Sequence, residues 1–221
     1  MSRVARAGFL GLLLVSVTIH LAGCAASNAL QVKAGLERPA KRGPGAGYAG
    51  KAVAIADFAY AGQAGGEIGR DFDRVRPITW SQSPGKAVPD LIATVLFERG
   101  VPVIRVADEA GAPPDAAAKV WGRVDTFRVD AKRTGTFNVE DSARVAVTVY
   151  GSGAGAPPQW NTAVASDYWY TDALFVTEAG VLEALNGAAN AVADEVVKRL
   201  VAAGIVAAPP AEAGEGGQVP K

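Results

Sequence analysis

The sequence predicts an α+β fold: one mixed β-sheet with two helices packed on one face, in the order β-α-β-β-β-β-α. Two segments, 89–99 and 178–203, place apolar residues on one side at helical spacing. Most of the stretches between them alternate apolar and polar residues, as half-buried strands do. The first helix also stands between two short apolar strands, which is the arrangement of a parallel crossover. These observations together indicate a layer of helices on a layer of sheet.

The predicted crossover begins with residues 51–58, KAVAIADF, a strand with so few polar side chains that both of its faces are buried. Its helix, 89–99, starts with Pro89 in the first turn and ends before Gly100, which suits a helix C-terminus. Residues 101–106, VPVIRV, form the second strand. The apolar face of the helix carries Val88, Leu91, Ile92, Val95 and Leu96.

Three longer strands are predicted next, over 119–129, 143–150 and 159–172. The middle one alternates cleanly, with valines on one face and polar residues on the other. In the first, the apolar phase changes between Val124 and Phe127, which indicates a bulge or a sharp twist.

The closing helix is predicted from residue 178 to residue 203. Thr177 is suited to cap its N-terminus, because a threonine oxygen accepts a hydrogen bond from a free backbone N–H. Lys198 and Arg199 in the last turn and Gly204 beyond it are typical of a helix end.

The remaining segments divide the chain. Residues 24–50 are rich in Ala, Gly and Pro and read as a flexible tether. Residues 51–204 form the single α+β domain, which contains a long glycine-rich loop at 59–87. Residues 205–221 have no apolar period and are predicted to be disordered.

The first 23 residues have the layout of a secretory signal peptide. Arg3 and Arg6 give a positive start, residues 9–21 are almost wholly apolar, and two small residues follow. The apolar run is shorter than the roughly 20 residues that span a membrane comfortably. The sequence Leu-Ala-Gly-Cys, ending at Cys24, resembles the lipobox of bacterial lipoproteins.

This resemblance implies a lipid anchor on Cys24. In lipoproteins the thiol receives a diacylglyceryl group, the chain is cut before the cysteine, and its amine takes a further acyl chain such as palmitate. Two or more acyl chains anchor a protein stably where one does not. Ala25 in place of Asp resembles the enteric sorting pattern for the outer membrane, which implies a lipid-anchored protein on its periplasmic face.

Composition excludes several kinds of function. Removing residues 1–23 removes two arginines and no acids, so a formal charge of −2 remains, which does not favour nucleic acid. The sole histidine, His20, and the sole methionine, Met1, lie in the signal. With Cys24 acylated, the mature chain has no histidine or thiol for nucleophilic triads or common zinc sites. We expect no enzyme activity, metal or cofactor.

The glycine-rich loop offers two kinds of candidate site, a phosphate-binding loop and a cluster of carboxylates. AGQAGGEIGR is not a phosphate-binding loop, because it lacks the G-x-x-x-x-G-K-[ST] pattern and does not lead straight into a helix. In SPGKAVPD, Ala87 stands where Ser or Thr is needed. Glu67, Asp71 and Asp73 lie close in sequence and suit either acid–base chemistry or a hard cation. A solvated loop face is the simpler interpretation of these carboxylates.

Aromatic residues mark the candidate interaction surface. In a strand, Tyr168 and Tyr170 share one face and Trp169 takes the other, so one side belongs to the core and the other is free to bind. Packing of these rings under the helices is the favoured interpretation, and an exposed interaction surface is the alternative. The full candidate set is Trp80, Trp160, Tyr168, Trp169 and Tyr170.

The order of these motifs resembles known envelope lipoproteins. A lipobox, a tether, VAIADF, a long loop, VPDLIATVLFERGVPVI, a valine-rich meander and a closing helix are similar to YajG-type outer-membrane lipoproteins. The same plan resembles curli-secretion lipoproteins, the amino-terminal domain of TolB-like proteins and transport-auxiliary lipoproteins of ABC systems. The resemblance implies a non-enzymatic envelope role.

Three functional hypotheses follow. The first is a binding or scaffold lipoprotein, held in the membrane by acyl chains on Cys24, that docks on an envelope protein. The second is a ring-forming accessory of outer-membrane secretion or of an ABC-type transport system, which requires self-association. The third is an enzyme that uses carboxylates. No nucleic-acid partner is expected under any of them.

Overall fold

The computed structural model describes residues 28–38, 51–153 and 160–207. The predicted signal peptide, Cys24 and most of the predicted C-terminal tail lie outside these ranges. The elements are β1 (Leu30–Val32), β2 (Val53–Ala56), β3 (Ala59–Tyr60), β4 (Glu67–Asp71), β5 (Arg76–Trp80), α1 (Pro84–Glu98), β6 (Val103–Val106), β7 (Ala118–Arg133), β8 (Asn138–Gly153), β9 (Trp160–Ala173) and α2 (Glu178–Ala202).

The predicted α+β class is confirmed: these elements form one mixed sheet with two helices. The sheet runs β1-β5-β4-β7-β2-β6, and β7 also pairs with β3 and β8. β2 and β6 are parallel, as the predicted crossover requires, and all four residues of β2 are buried. β7, β8 and β9 form an antiparallel meander.

The predicted irregularity in β7 is also confirmed. The pairing of β7 with β8 shifts register between Val124 and Thr126. Val124 is buried before the shift and Phe127 after it, so the inward phase changes from even to odd residues. The bulge therefore lets one long strand bury apolar residues along its whole length.

Helix α1 begins five residues earlier than predicted, at Pro84 rather than Pro89. Pro89 lacks an N–H, so it leaves the carbonyl of Gly85 without its helical partner. That carbonyl instead accepts a hydrogen bond of 2.8 Å from the backbone N–H of Phe58. Pro89 therefore lies inside the helix and not at its start, and the carbonyl that it leaves free links the helix to the residue two positions after β2.

Helix α2 begins as predicted, because the Thr177 side chain accepts a hydrogen bond of 3.0 Å from the N–H of Gly180. Its buried stripe packs on β8 and β9. Ile205 and Val206, predicted to lie in a disordered tail, are buried beyond its end. Across the described ranges, neither helix combines the length and the apolar character needed to cross a membrane.

The predicted long loop at 59–87 was wrong. It contains β3, the antiparallel hairpin of β4 and β5, and the first turn of α1. The fully buried Asp71 holds the hairpin turn: it accepts hydrogen bonds from the N–H groups of Asp73 and Arg74 and pairs with Arg76 at 2.8 Å. A side chain that closes a turn in this way has no signature in hydrophobic periodicity.

The predicted tether at 24–50 was wrong for residues 28–38, which we call the arm. β1 adds to the sheet beside β5 in parallel register, and Val32 is fully buried. The arm then follows α2, where Glu178 accepts hydrogen bonds from the N–H groups of Lys33 and Ala34. The composition of this segment did not reveal the arm, because only a few apolar residues among many small ones contact β5 and α2.

Arg38 fixes the end of the arm. Its guanidinium bonds to Glu98 on α1 at 2.7 Å and to Asp194 on α2 at 2.9 Å, and its side chain is 6% exposed. Asn190 also accepts a hydrogen bond from it, at 3.2 Å. Arg38 therefore joins the arm to both helices at once.

Two apolar residues in turns adopt positive φ, which only glycine accepts at low cost. Val75, between β4 and β5, has φ 49°, and Leu174, between β9 and α2, has φ 72°. Positive φ in a β-branched residue is a strained conformation of a kind that clusters at functional positions.

We expect the substitution Val75→Gly to raise the free energy of unfolding by about 1 kcal/mol, because it relieves this strain. Little burial is lost, since Val75 is 80% exposed. Urea unfolding followed by tryptophan fluorescence measures the change. Val75→Ala is the control: it keeps a Cβ and should gain less, and equal gains from both would contradict the strain.

Candidate functional site

The aromatic residues of β9 lie on an open edge of the sheet. β9 has 14 residues and pairs with β8 alone among the described strands. At its start, the carbonyl of Ala163 accepts a hydrogen bond of 2.8 Å from Arg199. Alternate backbone groups of the following stretch, 164–172, face away from β8, and none of the described strands lies beside them.

The three aromatic residues of this stretch divide between its two faces, as predicted, but all three are exposed, so the prediction that one face belongs to the core was wrong here. Tyr168 faces α2 and lies on Gly187, where an added Cβ would be 2.3 Å from the ring. Trp169, which is opposite Ser142 on β8, takes the other face and is 61% exposed. Tyr170 shares the face of Tyr168 and is 36% exposed.

The other two predicted surface residues do not belong to this edge. Trp80 is 1% exposed; it stacks on Phe127 with ring centroids 4.8 Å apart and donates to the carbonyl of Ala34 at 2.8 Å. Trp160 lies at the start of β9, half-buried against the core. Trp80 is thus a core residue, and the candidate surface reduces to Tyr168, Trp169 and Tyr170.

The outer face of β7, β8 and β9 is polar around Trp169. Arg128 pairs with Asp130 along β7, and Arg144 on β8 pairs with Asp167 on β9 at 3.0 Å. These pairs are largely exposed and contribute little to stability. They leave Trp169 as the large apolar group at the open edge of this face.

The candidate carboxylates of the glycine-rich segment do not converge on one site. Glu67 pairs with Arg70 at 3.2 Å, Asp71 with Arg76, and Asp73 with Arg133 at 2.6 Å. Each acid therefore has its own arginine. Within the three described ranges, no group of three or more Asp, Glu, His or Cys side chains is arranged to hold a metal ion.

The sequence interpretation missed a buried acid, Asp141. It lies on β8 in the inward phase of Val139 and Ala143, is 0% exposed, and neither of its carboxyl oxygens has a hydrogen-bond partner among the described residues. Extending the predicted strand back from residue 143 in the same phase would have found it. A charged residue in an apolar phase is the signal that was available.

Asp141 and Asp172 meet beneath the first turn of α2. A Cβ at Gly180 would lie 2.5 Å from an oxygen of Asp141 and 2.6 Å from one of Asp172. Burial, followed by the neighbouring charges of Asp172 and Asp71, raises the pKa of Asp141 from 3.8 to about 7. Asp172 is also held by the hydroxyl of Thr177.

A groove between the arm and α2 has a volume of about 400 Å³. Its polar groups are bonded to each other: Asn186 accepts from the N–H of Glu37 at 2.8 Å, and Asn190 donates to the carbonyl of Glu37 at 2.8 Å. These bonds dock the arm, so the groove is a seam of the fold rather than a ligand site.

No protein-family model matches the chain, and no curated protein matches it in sequence. Solved structures resemble it in chain path. Protein XCC0632 from Xanthomonas campestris, assigned to DUF330, is 15% identical with a TM-score of 0.44, over 70% of this chain and 85% of that chain.

Two further solved structures are lipoproteins by description. A candidate lipoprotein from Caulobacter crescentus is 19% identical with a TM-score of 0.37, over 67% of this chain and 88% of that chain. Lipoprotein GNA1162 from Neisseria meningitidis is 10% identical with a TM-score of 0.31, over 67% and 99%. All three likenesses are to bacterial proteins, with no YajG-type protein among them, and with TM-scores below 0.5 they are similarities of chain path only.

Proposed function

We propose that this chain is a lipid-anchored protein of the bacterial cell envelope with a non-enzymatic binding role. Acyl chains on Cys24 hold it in the outer membrane, on the periplasmic face, and the open edge of β9 binds an extended segment of another envelope protein. The observation that carries the binding role is this edge, with Trp169 61% exposed beside free backbone groups.

An open edge of this kind binds by strand addition. A partner strand pairs its backbone with the free N–H and C=O groups, and alternate side chains give specificity. Tyr168 and Tyr170 would meet the partner on the α2 side, and Trp169 on the outer side. Stretch 164–172 has room for a strand of ordinary length.

β9 also lacks the features that commonly keep an edge strand from pairing. It contains no lysine, arginine or proline, and its two acids are already bonded, Asp167 to Arg144 and Asp172 to Thr177.

A second copy of this chain is the alternative occupant of the edge, and corresponds to a ring-forming secretion or transport accessory. The native mass of the acylated protein, extracted in mild detergent from the outer-membrane fraction, separates the two functions. A complex with a different protein supports the binding role. A homogeneous assembly of many copies would overturn it in favour of the accessory role.

The substitution Cys24→Ala is expected to remove the anchor. The mass of the wild-type chain should include the diacylglyceryl and acyl groups, and the variant should lack them and leave the membrane fraction. Ala25→Asp is the matched variant, because it keeps the acyl groups and should move the protein toward the inner membrane. A wild-type chain without acyl mass would contradict the proposed anchor.

The substitution Trp169→Ala is expected to weaken partner binding at least tenfold, since a large exposed aromatic ring is a typical hot spot. Its exposure means that the free energy of unfolding should change by no more than about 0.5 kcal/mol. Trp121→Ala is the control: Trp121 stacks on Tyr150 elsewhere in the sheet, with centroids 6.0 Å apart. Equal loss of partner in both variants would place the docking surface elsewhere.

A further inference from the structure

Exposed apolar side chains gather at one end of the sheet, which we call the apolar end. Five of the ten large apolar residues that are exposed in the described ranges lie there, in three neighbouring turns. They are Phe72 (54% exposed), Val75 (80%), Phe137 (65%), Leu174 (46%) and Phe175 (55%).

Hydrogen bonds hold the three turns together. Arg133, the last residue of β7, bonds to Asp73 in the first turn, to the carbonyl of Thr136 in the second and to the carbonyl of Leu174 in the third. The N–H of Leu174 also donates to the carbonyl of Phe137 at 2.9 Å. The apolar end is therefore one built surface and not three independent loops.

The arm begins at the apolar end, so the nearest described residue to Cys24, Asn28, lies there. β1 is parallel to β5 and pairs Leu30 with Ile78, so the residues before Leu30 extend toward the start of β5, next to the turn that carries Val75. Cys24 precedes Asn28 by four residues, which span at most about 14 Å even when fully extended. An acyl group on Cys24 is thus confined to the vicinity of the apolar end.

We propose that the apolar end inserts into the head-group region of a phospholipid bilayer, so that the domain lies directly on the membrane that holds its acyl chains. This inference rests on the anchor of the proposed function and goes beyond it, because it fixes which surface meets the lipid. The membrane then faces the turns of β4–β5, β7–β8 and β9–α2, and the opposite end faces away.

The chemistry of the apolar end fits a bilayer interface. Phenylalanine and aliphatic side chains at loop tips enter the boundary between head groups and acyl chains, where their apolar area leaves water. Arg74 lies over the ring of Phe175, 5.4 Å from its centroid, and forms no ion pair within the described ranges. Its charge is available to a lipid phosphate.

The backbone supports the same assignment. Val75 and Leu174 are the two non-glycine residues with positive φ in the described ranges, and both present exposed apolar side chains at this end. Glycine would relieve the strain at either position, yet a bulky apolar residue stands at both. Strain of this kind is associated with functional positions.

Single cysteines test the inference directly, since Cys24 is acylated and no other thiol is present. The variants Val75→Cys and Phe137→Cys are labelled with a nitroxide in the full acylated protein, which is placed in vesicles of phosphatidylethanolamine and phosphatidylglycerol. Phe97→Cys is the matched control: Phe97 is 55% exposed and lies at the opposite end of the molecule, near the start of β6. Accessibility to oxygen and to a water-soluble nickel complex locates each label.

We expect the labels at positions 75 and 137 to favour oxygen over the nickel complex at least threefold more than the label at position 97. Labels at 75 and 137 that stay as water-accessible as position 97, in protein whose acyl mass is verified, would overturn the inference and leave the anchor intact. That result is also the one expected if the apolar end binds a protein instead. Absence of the acyl mass would overturn both the anchor and the inference.

Discussion

The substitution Asp141→Asn is expected to raise the free energy of unfolding by about 1–3 kcal/mol at pH 8 and to change it little at pH 4. Asp141 is fully buried with no hydrogen-bond partner in the described part of the chain, and its pKa is raised to about 7, chiefly by burial and then by Asp172 and Asp71. Each unit of pKa shift corresponds to about 1.4 kcal/mol. Asparagine removes the charge but keeps a buried amide, so the net gain is smaller than the full shift.

The direction of the pH dependence follows from the order of the two pKa values. In the unfolded chain Asp141 loses its proton near pH 3.8, whereas in the folded protein it keeps the proton to about pH 7. Between these values the folded state holds the extra proton, so its stability decreases as pH rises. Above about pH 7 both states are ionised at this group and its contribution becomes constant.

Urea unfolding from pH 4 to pH 8 measures this effect as the difference between wild type and variant. The groups around Asp141 are Asp172 on β9, Asp71 on β4, its partner Arg76 on β5, and Thr177 before α2. Asp167→Asn, which removes an exposed charge from β9, is the control and should not alter the slope between pH 5 and pH 7. If Asp141→Asn keeps the wild-type decrease of stability between pH 5 and pH 7, Asp141 is not the source of that decrease.

The substitution Arg38→Ala is expected to lower the free energy of unfolding by about 2–3 kcal/mol. Arg38 is 6% exposed and bonds to Glu98, which is 13% exposed, so its removal leaves a nearly buried carboxylate without a partner. Breaking a fully buried pair costs about 3–5 kcal/mol, and the 42% exposure of Asp194 reduces the effect here.

Hydrogen exchange should locate the loss in the arm, with residues 33–38 exchanging faster while β8 keeps its protection. Arg128→Ala is the matched control, since it removes an arginine from an exposed pair with Asp130 and should cost less than about 1 kcal/mol. Equal losses of unfolding free energy from the two variants would contradict the role of Arg38 in holding the arm to both helices.

The sequence predicted the crossover, the three long strands, the bulge and both helices, because each has an apolar period of its own. It did not predict β1, β4 or β5, which have three to five residues and owe their place to partners elsewhere in the chain. The arm is the extreme case: Val32 is buried only because β5 and α2 lie beside it. Short strands of this kind carry too few residues for a period to show.

Of the candidate surface, Tyr168, Trp169 and Tyr170 were placed correctly on two faces of one strand, whereas Trp80 was not. A tryptophan in an assumed loop looks exposed until that loop is seen to form β5 and to stack on Phe127. The apolar end could not be predicted at all, because it is assembled from three turns that are far apart in sequence.

The contacts of the arm bear on the expected order of folding. Its bonds join Lys33 to Glu178 and Arg38 to Asp194, pairs that are 145 and 156 residues apart in the chain. Contacts of such long sequence separation form late and slowly. In the proposed envelope role, we therefore expect the arm to dock only after α2 has crossed the membrane, so that this part of the sheet is completed at the end of export.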